Sequence, residues 1–186
     1  MATTSDFRTG MTIRYNGELW SIVEFQHVNP GNWRAFVRTK LKNLSTGRVI
    51  ENRFRAGETI DVVRIDRRTF QYLYRDGLDY VFMDTETYDQ IHISDKMMGE
   101  RAAFLREGEH VDILFNGTEA IAVELPIFVE LKVIHTEPGI KGDTVSNVTK
   151  PATVETGAVI NVPLFVDEGD VLKIDTRTGE YVERAK

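Results

Sequence analysis

Two-residue turn signals punctuate this chain along almost its whole length. Asn16-Gly17, Pro30-Gly31, Thr46-Gly47, Asp76-Gly77, Asn116-Gly117, Pro138-Gly139 and Thr178-Gly179 separate short runs rich in Val, Ile, Tyr, Phe and Thr. That is the pattern of strands joined by hairpins, and it predicts an all-β fold. The first hairpin is the best specified, because Asn16-Gly17 lies between Thr12–Tyr15 and Leu19–Val23 and supplies the positive φ angles of a two-residue type I′ turn. One stretch favours a helix. Ser94 is a suitable N-cap with Asp95 in the first turn, and Met98, Ala102 and Leu105 form an apolar stripe over about three turns. A short helix among many strands fits a five-stranded, partly open barrel of the oligonucleotide-binding kind; a helix capping another sandwich fits the same pattern.

The 186 residues allow one ordinary domain or two or three small ones. Composition breaks fall at the basic run Arg64-Ile65-Asp66-Arg67-Arg68 and at Leu125-Pro126, which sets expected domains at 1–65, 66–127 and 128–186. Domains of that size bury only about 60% of their unfolded surface, so each is marginal alone. Leu125-Pro126-Ile127-Phe128-Val129-Glu130 echoes Val162-Pro163-Leu164-Phe165-Val166-Asp167, and both read as an apolar strand following proline. Charge is unevenly spread: residues 1–68 hold 12 Lys and Arg against 7 Asp and Glu, a net of +5, and the remainder holds 11 against 22, a net of −11. A polyanionic partner would meet the cationic head.

Much chemistry is excluded. With no cysteine there is no disulfide scaffold, thiolate metal site or thiol nucleophile. His27, His92, His110 and His135 lack metal-ligand spacing, and no phosphate-binding Gly-rich loop occurs. The cluster Asp167, Glu168 and Asp170 could serve a hydrolase only with convergent partners that a sequence does not display. No catalytic residue, metal ligand or cofactor is therefore assigned. The first residues carry no basic start followed by an apolar stretch, and no run approaches the roughly 18 apolar residues of a membrane span, so the expectation is a soluble, cytoplasmic protein.

The informative segment is Phe25 to Lys42. Pro30-Gly31 suits the central positions of a type II turn, which makes Asn29 to Asn32 the bend of a long hairpin. Beyond it, Arg34, Phe36, Arg38, Lys40 and Lys42 fall on one strand face and Ala35, Val37, Thr39 and Leu41 on the other. The stripe from Arg34 to Lys42 spans about 27 Å, enough to follow several phosphates of a nucleic-acid backbone. Trp33, beside the tip, either stacks on an unpaired base with Arg34 at its flank or folds back on its own hairpin.

The opening Asp6-Phe7-Arg8-Thr9-Gly10, the strand Phe36–Leu44, the middle segment Phe82–Tyr88, and the C-terminal segments Lys150–Ala158, Val162–Val166 and Asp175–Tyr181 together resemble the bacterial elongation factor P family over the whole chain. The resemblance implies an SH3-like (KOW-like) N-terminal barrel followed by two oligonucleotide-binding barrels in an L-shaped, tRNA-like arrangement. It implies a non-enzymatic, monomeric factor that enters the 70S ribosome beside peptidyl-tRNA, with initiator tRNA a further candidate, and relieves stalling at consecutive prolines. On this basis Pro30, Gly31, Asn32, Trp33 and Arg34 should face the CCA end. Arg38, Lys40 and Lys42 should contact RNA backbone, and Lys141, Gly142, Asp143 and Lys150 should face tRNA or the small subunit. The tip departs from the family pattern: the position that receives a covalent extension on Lys or Arg in relatives is Asn32 here, which has neither an amine nor a guanidinium. A general single-strand RNA-binding protein is the competing reading, and the acidic remainder of the chain speaks against it.

Overall fold

The computed structural model describes residues 1–139 and 148–185. The strands are β1 (Ala2–Thr3), β2 (Thr12–Tyr15), β3 (Glu18–Val28), β4 (Phe36–Asn43), β5 (Val49–Arg55), β6 (Thr59–Val62), β7 (Asp66–Asp76), β8 (Asp79–Asp84), β9 (Gln90–Ser94), β10 (His110–Asn116), β11 (Glu119–Glu124), β12 (Phe128–Thr136), β13 (Thr149–Val154), β14 (Val159–Pro163), β15 (Val171–Asp175) and β16 (Glu180–Arg184). They form three sheets, ordered β1-β6-β2-β3-β4-β5, β11-β10-β7-β8-β9 and β14-β13-β12-β15-β16. The chain is all-β as the turn pattern predicts.

The reason is local and repeated. Asn16 and Gly17 both take positive φ, 52° and 79°, and Tyr15 pairs with Glu18 across them, the geometry of a two-residue I′ turn. At the next turn Asn43 Oδ1 accepts from the backbone N–H groups of Ser45 and Thr46, both at 2.9 Å, and the Gly47 N–H returns to the Asn43 carbonyl. Each sheet then buries the inward half of its alternating residues. In the first, Phe7, Ile13, Trp20, Ile22, Leu41 and Phe54 belong to one core. In the third, Leu131, Val154, Val162, Leu172 and Ile174 belong to another.

Two expectations are corrected. Ser94 does cap a helix, its Oγ accepting from the Met97 N–H at 3.3 Å, but α1 covers only Asp95–Met98 and gives way to a 3-10 helix over Gly99–Phe104. Gly99, at φ 55° and ψ −143°, leaves the right-handed helical region after one turn. The Arg101 side chain then donates to the freed carbonyls of Met97 (3.1 Å) and Met98 (3.3 Å). The apolar stripe still faces inward, with Met98 and Leu105 buried. The proline echo is also not two equivalent strands. Phe128 opens β12, whereas Pro163 ends β14 and the chain turns at once, the Val166 N–H donating to the Pro163 carbonyl at 3.2 Å.

The β15–β16 turn carries a pH-sensitive contact. Asp175 accepts from Arg177 Nη2 at 2.7 Å and Nε at 3.1 Å, and from the Arg177 backbone N–H at 2.9 Å. These bonds, the side-chain ones foremost, hold the Asp175 carboxyl down to about 2. Because the folded value lies below the unfolded one, the contact's contribution to stability is complete above the ordinary carboxylate range and is lost as pH falls toward 2. Arg177→Gln is expected to raise the Asp175 titration midpoint toward the ordinary Asp value in a carboxyl-detected NMR titration. An unchanged midpoint would assign the effect to the backbone bonds alone.

Candidate nucleic-acid interface

β3 and β4 are the long arms of one hairpin, paired from Trp20↔Asn43 out to Val28↔Phe36, and residues 29–35 form its tip. Pro30, Gly31, Asn32, Trp33 and Arg34 are all exposed. Gly31 has φ 77°, and the Asn32 N–H donates to the Pro30 carbonyl at 3.0 Å. The bend therefore closes over three residues centred on Gly31, tighter than the four-residue type II turn that Pro-Gly predicts. Only glycine occupies that backbone region without strain.

Trp33 is 80% exposed. It does not fold back on its hairpin. An indole side chain buries about 150–250 Å² when covered, so a partner that takes it in gains about 3–5 kcal/mol of gross hydrophobic burial.

Along β4, Val37, Thr39 and Leu41 are buried while Arg38, Lys40 and Lys42 are exposed, as the alternation requires. Arg34 stands apart. The ladder begins at Phe36, so Arg34 belongs to the tip and not to the strand row. Register shows what flanks each cation. Arg38 lies between Gln26 and Arg53, Lys40 between Glu24 and Glu51, and Lys42 between Ser21 and Val49. Lys40 Nζ is bonded to Glu24 Oε2 at 2.8 Å, which lowers the Glu24 pKa and raises that of Lys40. Positive charge is thus neutralised in mid-strand and concentrated near the tip.

Two residues of that concentration escape a reading of β4 alone. Arg53 and Arg55 on β5 face Arg38 and Phe36, and the Arg53 guanidinium sits 5.2 Å from the Phe36 ring centre. Counting outward from the Thr46-Gly47 turn would have placed both, since Lys42 pairs with Val49 and each step adds one residue on either side.

At the other proposed surface, Lys141, Gly142 and Asp143 lie outside the described residues. Lys150 is described and is buried, its Nζ donating to the Glu137 carbonyl at 2.7 Å. Its ammonium is committed to the backbone of its own domain and is not presented as an open phosphate contact, a correction to the sequence expectation. Two carboxylates of the Asp167, Glu168 and Asp170 cluster are committed as well: Glu168 Oε1 accepts from the Thr136 N–H, Asp170 Oδ2 accepts from the Asp167 N–H, and Asp170 pairs with Arg184 at 3.5 Å. They hold a turn together. Among the described residues no helix is long and apolar enough to cross a membrane.

Three sheets with a cationic, aromatic-tipped hairpin on the first define a multi-sheet β protein whose exposed chemistry suits a polyanion. Three family models cover nearly the whole chain: the elongation factor P KOW-like domain over residues 3–60, the elongation factor P OB domain over 65–123, and the elongation factor P C-terminal domain over 129–184. The elongation factor P of Chloroflexus aggregans is 61% identical over 184 residues, covering 98% of this chain and 97% of that one. That of Roseiflexus sp. is 57% identical over the full length of both. A solved structure of a translation initiation factor eif-5a family protein from Naegleria fowleri matches 67% of this chain and 96% of its own with a TM-score of 0.51 at 14% identity, a likeness of fold alone.

The chain belongs to the elongation factor P family. It is a translation elongation factor and not itself an enzyme.

Proposed function

We propose that this chain binds the 70S ribosome beside peptidyl-tRNA and promotes peptide-bond formation at consecutive prolines by bracing the CCA end with its hairpin tip. The observation that carries the reading is the solvated Trp33 on a tight, exposed turn, with Arg34 next to it in the chain and Arg38, Arg53 and Arg55 on the tip-ward parts of β4 and β5. An indole stacks on an unpaired base without reading sequence, and guanidiniums hold phosphates in place. The contribution to rate is positional: a reactant held in near-attack geometry needs less entropy removed at the transition state, which can lower a slow barrier by several kcal/mol without any catalytic group.

In this reading Trp33 and Arg34 take the place of the covalent extension that relatives carry, because the Asn32 amide cannot be lysylated as an amine or glycosylated as a guanidinium. Protein from the native host should have the intact mass of the unmodified chain. Division into domains at 1–65, 66–127 and 128–186, the SH3-like character of the first, and the L-shaped, tRNA-like arrangement belong to the same proposal. So do a monomeric state, a cytoplasmic location and contacts of Lys141, Gly142 and Asp143 with tRNA or the small subunit. Initiator tRNA is a further ligand of the same site. The separate sheets and the three family spans support the division.

The test is translation of a tri-proline reporter in a system lacking such a factor. Added wild-type chain should restore full-length product, and failure to restore it would reject the role. A second measurement addresses the basic face. Replacing Arg34, Arg38 and Lys42 together with Gln should flatten the log–log salt dependence of ribosome affinity by about 2 to 3, Lys40 being tied to Glu24. An unchanged slope would remove those three from the contact.

A further inference from the structure

The loop between β8 and β9 displays a tyrosine in a costly conformation. Tyr88 has φ 65°, in the left-handed region that disfavours a bulky L side chain, and the residue is 71% exposed. Asparagine or glycine would occupy that backbone position at lower cost. The loop is held in place by its own bonds. The buried Asp84 carboxylate accepts from the N–H groups of Glu86 (2.8 Å) and Thr87 (3.2 Å). The Tyr88 and Asp84 N–H groups donate to the carbonyls of Asp84 and Asp89, both at 2.9 Å. The scaffold thus fixes an aromatic side chain that returns nothing to the free protein, since among the described residues no ring, cation or hydrogen-bonding group meets it.

Its flanks say what kind of surface it suits. Glu86 and Asp89 are exposed on either side, and no cation among the described residues pairs with either. Two uncompensated carboxylates beside an open ring repel a phosphodiester backbone and attract a guanidinium or ammonium, which also binds a tyrosine face.

We propose that Tyr88, with Glu86 and Asp89, is a docking point for an arginine- or lysine-bearing protein segment of the ribosome, a contact separate from the RNA-facing hairpin. The inference rests on the ribosomal reading above. Strain tolerated at a preorganised, exposed position is a known mark of binding sites.

The test uses the full chain with p-benzoylphenylalanine in place of Tyr88, irradiated on purified stalled ribosomes, with pelleting measured in parallel. The expected result is a covalent adduct to a ribosomal protein. An adduct to RNA, or no adduct while the factor still pellets, overturns the proposal; a wild-type chain that does not pellet overturns the ribosomal reading and this contact with it. Tyr88→Asn supplies an independent readout. It should raise the melting temperature of the free protein by relieving the backbone while weakening ribosome binding about tenfold. A lowered melting temperature would show that the ring supports the fold, and unchanged binding would show that no partner meets it; either result overturns the proposal.

Discussion

Trp33→Ala is expected to lower rescue of a tri-proline reporter by about tenfold to a hundredfold at limiting factor while leaving the melting temperature unchanged. The magnitude follows from base–aromatic stacking, which is worth about 1–3 kcal/mol per base when the ring is removed. The unchanged stability follows from the 80% exposure of the residue, which leaves little intramolecular packing to lose. Arg34→Ala should act in the same direction with a stronger dependence on salt, because its contribution is electrostatic. Asn32→Ala should act least, since the amide offers only neutral hydrogen bonds. Full rescue by Trp33→Ala at limiting concentration would remove stacking from the account. A fall in melting temperature would show that the indole packs on its own hairpin in solution.

Trp20→Ala is expected to have the largest effect on stability. The two tryptophans of the chain are in opposite situations. Trp20 is 2% exposed, shares a core with Ile13, Ile22, Leu41 and Phe54, and donates from Nε1 to the Tyr15 carbonyl at 3.2 Å. Truncating a buried indole costs about 3–5 kcal/mol through lost burial and the cavity left behind. A folded unit the size of the 3–60 span that matches the KOW-like family model has about 3–9 kcal/mol of stability in all, so much or all of the margin goes. Chemical denaturation should show the first transition displaced to markedly lower denaturant, and reporter rescue should fall with it because the hairpin loses its base. A midpoint within experimental error of wild type would mean that the site collapses around the cavity far better than such cores do.

The hairpin architecture was legible because its determinants are local. Asn16-Gly17 specifies a turn from two residues, and the alternation from Phe36 to Asn43 assigns faces from eight. Pro30-Gly31 fixes the place of the bend but not its type, because the choice between a three- and a four-residue closure depends on where the Asn32 N–H finds an acceptor. The helix after Ser94 is shorter than its apolar stripe predicts for a related reason. An apolar stripe at spacings of four and three survives a change from α to 3-10 winding, while the positive φ of Gly99 is set by the connection the chain must make there.

For this protein the sequence alone determined the strand content, the orientation of β4, the cationic character of its head and the family to which it belongs. These depend on neighbours along the chain or on residue identity. Only the tertiary structure decided that Lys40 is tied to Glu24, that Arg53 and Arg55 enlarge the basic face, that Lys150 is turned inward, and that Trp33 and Tyr88 stand in solvent. Each of these turns on which groups the folded chain brings, or does not bring, beside a side chain, and so on strand register and packing rather than on composition.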